Sequence, residues 1–116
     1  MEDANWARFG VIRTGSQGHI DGVASLAAGF SHVCARMTTG GVRCWGEGKF
    51  GALGNNALAN SKVPVVVAGI ATATAIATGA NHTCARLSTG VARCWGDNTY
   101  GQLGNGANAP ASTPVA

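Results

Sequence analysis

The chain has 116 residues with a formal net charge of +3, and only 11% of them are charged. At 46% hydrophobic residues it is too apolar to be disordered, and its few dispersed charges exclude the basic footprint of a nucleic-acid binder. No apolar run approaches the roughly 18 residues needed to cross a bilayer, and 18 glycines among few charged side chains suit short strands joined by tight turns.

The start, Met1-Glu-Asp-Ala-Asn-Trp6, has no basic stretch followed by an apolar one, so no signal peptide is visible. Ser16, His19 and Asp21 form a Ser/His/Asp trio only by proximity along the chain, whereas real triads are recognised by geometry. Carboxylates total five and are scattered, which leaves little material for a paired acid/base site.

From Gly29 onward the chain says one long phrase twice, 50 residues apart. Gly29–Asn55 and Gly79–Asn105 are identical at 15 of 27 positions without a gap, and Met37/Leu87, Glu47/Asp97 and Phe50/Tyr100 are near relatives. A period of this size marks a solenoid, a propeller or an array.

In the first copy Cys34 and Cys44 flank Thr38-Thr39-Gly40, and in the second Cys84 and Cys94 flank Ser88-Thr89-Gly90. If each pair lies across a hairpin, facing residues sum to 78 and to 178, and Gly40 and Gly90 fall where a three-residue loop needs positive φ. Directly opposed cysteines lie within reach of a disulfide, worth about 3 kcal/mol on the chain-entropy model. Oxidised pairs imply a secreted, periplasmic or cell-surface protein. Two other states stay open: reduced cysteines serving as small core residues, and zinc held with His32 and His82, although the C-x₂₋₄-C spacing of zinc modules is missing.

Val63–Val67 reads as a strand starting at a proline, and Ile70–Thr78, with Ala and Thr alternating around Ile76, as another. Gly79-Ala80-Asn81 is a turn, followed by a hairpin of His82–Leu87 and Val91–Trp95. Gly46–Asn55 and Gly96–Gly106 are too rich in Gly, Asn and Asp for regular elements and read as ordered loops. Asn81-His82-Thr83 is a glycosylation sequon. Each repeat thus supplies three or four short antiparallel strands, the content of one propeller blade.

The string Gly-x-x-His-x-Cys-Ala, a Gly turn, Arg-Cys-Trp-Gly and Gly-x-Leu-Gly resembles the repeat of the regulator of chromosome condensation family, most of all its bacterial cysteine-paired variety. The resemblance spans about Ile20 to Val115. It implies blades of a propeller that usually has seven, with a Trp such as Trp45 or Trp95 near the blade core. Members include an exchange factor for a small nuclear GTPase, a plant ultraviolet-B photoreceptor and a β-lactamase inhibitor. What they share is a binding surface of blade-edge loops, so the fold does not deliver the function.

The expected fold is all-β, two antiparallel propeller blades forming a partial or oligomer-completed propeller. A divergent segment, 1–18, would precede repeat 1 at 19–68 and repeat 2 at 69–116. His32, Trp45, Gly46, Leu53, His82, Trp95, Gly96 and Leu103 are expected to build the repeat core, and Phe30, Lys49, Phe50, Asn98, Tyr100 and Gln102 to face a partner. Arg36, Arg43, Arg86 and Arg93 are expected to be solvated or paired with Glu47 and Asp97. The partner is a protein, with no cofactor, metal or nucleic acid. Two blades leave apolar faces open, so either further blades or identical copies should complete them. A self-assembling subunit and an exchange-factor-like fragment are the alternatives to a non-catalytic binding module.

Overall fold

The computed structural model describes residues 22–115. The readings of the Met1–Trp6 start, of Ser16, His19 and Asp21, and of the 1–18 segment lie outside the described residues. The first sheet contains β1 (Val23–Ala28), β2 (His32–Met37), β3 (Val42–Gly46) and β4 (Ser61–Val66). The second contains β5 (Ala73–Thr78), β6 (His82–Leu87), β7 (Ala92–Gly96) and β8 (Ala111–Val115). Both are four-stranded antiparallel meanders in chain order, so the described residues are all-β and form two blades.

The cysteine spacing sets the register of both central hairpins. Met37 N donates to Gly41 O (2.9 Å) and Leu87 N to Val91 O (2.8 Å), closing the turns, with Gly40 and Gly90 at φ 98° and 91°. Hydrogen-bonded pairs recur every second residue from these turns, at Ala35/Arg43 and Ala85/Arg93, so three steps back Cys34 faces Cys44 and Cys84 faces Cys94 in the narrow pairs that lack ladder hydrogen bonds. There the Cα atoms are 4.1 and 4.0 Å apart and the sulfurs are bonded. Sulfurs joined to each other are not thiolates available to zinc. Among the described residues no group of three or more His, Cys, Asp or Glu gathers into a metal-sized cluster.

The elements differ from the sequence reading at several places, β7 by a one-residue shift from Val91–Trp95 to Ala92–Gly96. β5 starts at Ala73 rather than at Ile70, because Ile70 turns inward as a buried plug of the inter-blade core. β4 begins at Ser61 and holds Pro64 inside it, which costs no ladder bond on the outer side because β4 is an edge strand. Lys49–Gly51 forms a single 3-10 turn in the first loop, where the glycine content argued against any regular element.

The main core lies between the blades. Cys34, Val42, Cys44, Leu53 and Val67 of blade 1 pack with Ile70, Ala73, Ala85 and Trp95, which belong to the connection and blade 2. Strand alternation explains the pairing: even-numbered side chains of β2 and β3 face the odd-numbered side chains of β6 and β7. Val33, Ala35, Met37 and Trp45, on the other face of blade 1, form a second buried cluster with Val23.

Candidate functional site

Alternating strand directions send the β1–β2 and β5–β6 turns and the long loops after β3 and β7 to one rim. The β2–β3 and β6–β7 turns go to the opposite rim. On the first rim the segments are tied together through the backbone. Glu47 N donates to Ser31 O (2.8 Å) and Asp97 N to Asn81 O (2.9 Å) within each blade. Phe30 N donates to Ala80 O (2.9 Å) and Asn56 N to Ser112 O (2.8 Å) across the blades.

Phe30 and Tyr100, two of the residues expected to face a partner, stand on this rim at 82% and 88% exposure. Lys49 is exposed beside half-buried Phe50, its ammonium 5.3 Å from the ring centroid. Leu58, 67% exposed, joins them. The sequence reading missed it by ending the first loop at Asn55, although an apolar residue inside Asn55-Asn-Ala-Leu-Ala-Asn60 was the available signal.

Asn98 and Gln102 depart from the expectation. Asn98 is fully buried, its Nδ2 donating to Ala107 O (2.9 Å), Ala109 O (3.0 Å) and Asn105 Oδ1 (3.2 Å), while its Oδ1 accepts from Leu103 N (3.0 Å). An amide with both ends engaged offers nothing to a partner; it is the hub that shapes the loop. Gln102 Oε1 accepts from Tyr100 N (2.8 Å) and its Nε2 donates to Asp97 Oδ2 (3.3 Å), which fixes the backbone beneath the exposed tyrosine.

The residues expected in the repeat core lie between and within the blades. Trp95 is fully buried and its Nε1 donates to Ala52 O (3.0 Å) of blade 1, whereas Trp45 Nε1, equally buried, has no partner among the described residues. Leu53 and Leu103 are buried, as are Gly46 and Gly96, which pair with His32 and His82 at the strand ends. His32 is 2% exposed, and its Nε2 lies 2.8 Å from Thr83 Oγ1 on the other blade. Burial, with the nearby His82 adding like charge, lowers its pKa to about 4, so the ring is neutral near pH 7. Thr83, the last residue of the sequon, is itself fully buried in this contact. His82, by contrast, is half-buried.

The arginines do not take the carboxylates that the sequence offered. Asp97 accepts from Thr99 N (3.0 Å), Thr99 Oγ1 (2.7 Å) and Gln102, and the threonine hydroxyl is the main cause that lowers its pKa. Arg36 Nε donates to Ser25 Oγ (3.1 Å) instead. Arg43 and Glu47 sit four residues apart on an extended chain, about 13 Å along the strand. The rim thus offers exposed aromatic, aliphatic and cationic side chains on rigid loops. It brings together no nucleophile–base or metal-binding arrangement among the described residues.

Comparison with known proteins agrees with this geometry. The regulator of chromosome condensation (RCC1) repeat matches residues 23–52 and 73–102, and a second description of the same repeat matches 39–86. Yeast RCC1 (Prp20), solved bound to Kap60, is 26% identical with a TM-score of 0.71, covering 89% of this chain and 24% of that one. Prp20p from Saccharomyces cerevisiae, from a study of its binding to Gsp1p and histones, is 26% identical with a TM-score of 0.69, covering 90% and 25%. Human WBSCR16 shares the fold at 24% identity and a TM-score of 0.74, covering 83% and 25%. The chain therefore spans about a quarter of the length of each solved relative. No curated protein sequence matches it.

Proposed function

This chain belongs to the regulator of chromosome condensation (RCC1) repeat family, and from that premise we propose that it is a non-catalytic protein-binding module that engages its partner through the loops of one rim. The observation that carries the reading is the set Phe30, Leu58 and Tyr100, three large exposed apolar or aromatic side chains on one rim. They stand on loops held by disulfide-clamped hairpins and the Asn98 hub, so little ordering entropy is lost on binding. Aromatic anchors of this kind carry most of the energy of protein interfaces. The two disulfides support residence in an oxidising compartment, secreted, periplasmic or at the cell surface.

The test starts from proteins captured by the full chain and then measures each purified candidate against the Phe30→Ala/Tyr100→Ala double variant. A true partner loses about 30-fold or more in affinity, in line with two anchors worth at least about 1 kcal/mol each. Unchanged affinity for every candidate refutes the rim.

Similarity to Prp20p supports one alternative, a piece of a guanine-nucleotide exchange factor. Accelerated release of labelled GDP from a small nuclear GTPase would establish it. Self-assembly of copies through blade 2 is the competing structural role. Light scattering over a concentration series separates it from a binding module, which stays a monomer.

A further inference from the structure

His32 sits where the rim is joined across the two blades. A Cβ added at Gly29 would strike both the His32 ring and Gly79 O, so the β1–β2 turn is pressed between that ring and the β5–β6 turn. Next along the same turn, Phe30 N donates to Ala80 O, and Ser31 O and Asn81 O hold the two long loops through Glu47 N and Asp97 N. Beneath the turn, Thr83 Oγ1 lies 2.8 Å from His32 Nε2 and 3.6 Å from Cys34 Sγ. The bonded sulfur carries no hydrogen, so the hydroxyl donates either to it or to the ring.

A proton on His32 would give both ring nitrogens a hydrogen and place a charge in this joint. The groups around it offer that charge no buried partner among the described residues. β1 and β5 carry no ionisable side chain. His82 and Arg86 on β6, Arg43 on β3 and Arg36 on β2 itself are basic. Glu47 follows Gly46, the residue opposite His32, but is half-exposed on the rim. Asp97 is already engaged by Thr99 and Gln102. A buried charge without a partner is costly, so the imidazolium reaches water by displacing the turn that covers it.

We propose that His32 is an acid latch on the rim: when its ring takes a proton, the seam between the β1–β2 and β5–β6 turns opens, the turn bearing Phe30 loosens and the protein partner is released. The latch rests on the rim being the binding surface. It is closed at neutral pH and works toward pH 4, where the buried ring titrates. A ring freed from the joint regains the ordinary value of 6.5, so falling pH favours the open form.

The test is amide hydrogen exchange of the full chain by NMR at pH 7 and pH 4, with rates divided by those of unstructured peptides. Protection of the Phe30 amide should fall at least about tenfold more than that of Met37, whose amide closes the turn at the opposite end of blade 1. The loss should follow the titration of the His32 ring signals, vanish in His32→Gln and persist in His82→Gln. Affinity for a confirmed protein partner should fall by a similar factor in the unaltered chain and stay level in His32→Gln. Equal loss at Phe30 and Met37, or a loss that survives His32→Gln or tracks the His82 ring, overturns the latch. Should His32→Gln not fold, the ring titration alone decides. Unchanged partner affinity across this range also overturns it. Exchange in the free chain needs no partner, so the rim reading can fail in the Phe30→Ala/Tyr100→Ala test while the seam still opens.

Discussion

Blade 1 and blade 2 carry the same phrase and nearly the same strands, yet they hold their long loops in opposite ways. In blade 2, Asn98 reaches from the end of β7 to Ala107 O and Ala109 O, and position 110 is a proline. In blade 1, position 48 is a glycine, whose amide donates to the side chain of Asn60 (3.0 Å) at the far end of the loop. A Cβ at Gly48 would strike Ala59 O, so the loop has closed over the space that an asparagine fills in blade 2. The exchange leaves a trace: Asn105 Oδ1 accepts from Asn98, while its counterpart Asn55 Oδ1 is buried without a partner among the described residues. A repeat therefore conserves the task of tethering the loop, and either end can supply the tether.

The blades differ again in what covers them, and mutations should reveal it in order of size. Trp95→Ala removes a fully buried ring and orphans Ala52 O at the inter-blade contact, and should cost about 3–5 kcal/mol in chemical denaturation. A smaller loss would mean that the blades are not packed through this ring. Cys44→Ser and Cys94→Ser open loops of equal length, so a purely unfolded-state effect would be the same, about 3 kcal/mol. Because Cys34 and Cys44 are fully buried and Cys84 and Cys94 are not, blade 1 should suffer more, and equal melting shifts would contradict that asymmetry.

Burial of His32 should make stability depend on pH. His32 binds its proton only near pH 4 when folded, against 6.5 for an unperturbed histidine. Between those values the unfolded chain holds more protons, so stability is intact above pH 6.5 and falls as pH drops toward 4. Denaturation midpoints across this range should lose part of that slope in His32→Gln, and an unchanged slope would refute burial of the ring as its cause. The smallest contrast is Gly40→Ala against Gly90→Ala. Both incur about 1 kcal/mol for positive φ, but only the first adds a clash with the next blade, so it should melt lower.

The parts that were legible in the sequence are those fixed by short spacing. The register of both hairpins follows from residues summing to 78 and 178, because the turn and the bridge lie within ten residues of each other. The exposure of Phe30 and Tyr100 follows from their seats in turns and glycine-rich loops. The burial of Asn98 does not, since it depends on where Ala107 and Ala109 aim their carbonyls, nine and eleven residues on. Ile70 looked like a strand residue by alternation but serves as a plug, because the core it enters is built by the other blade. Of the two alternatives for the arginines, solvation or pairing, spacing along the chain could not choose: Asp97 accepts from the hydroxyl of Thr99, two residues away.

The central claim is that binding belongs to the rim of Phe30, Leu58 and Tyr100. Its most direct test is amide hydrogen exchange of the full chain with and without a confirmed protein partner. Protection should concentrate at residues 29–31, 47–60 and 97–104 and leave the turns at 38–41 and 88–91 unchanged. Protection of those opposite turns, with the rim still exchanging freely, would contradict it.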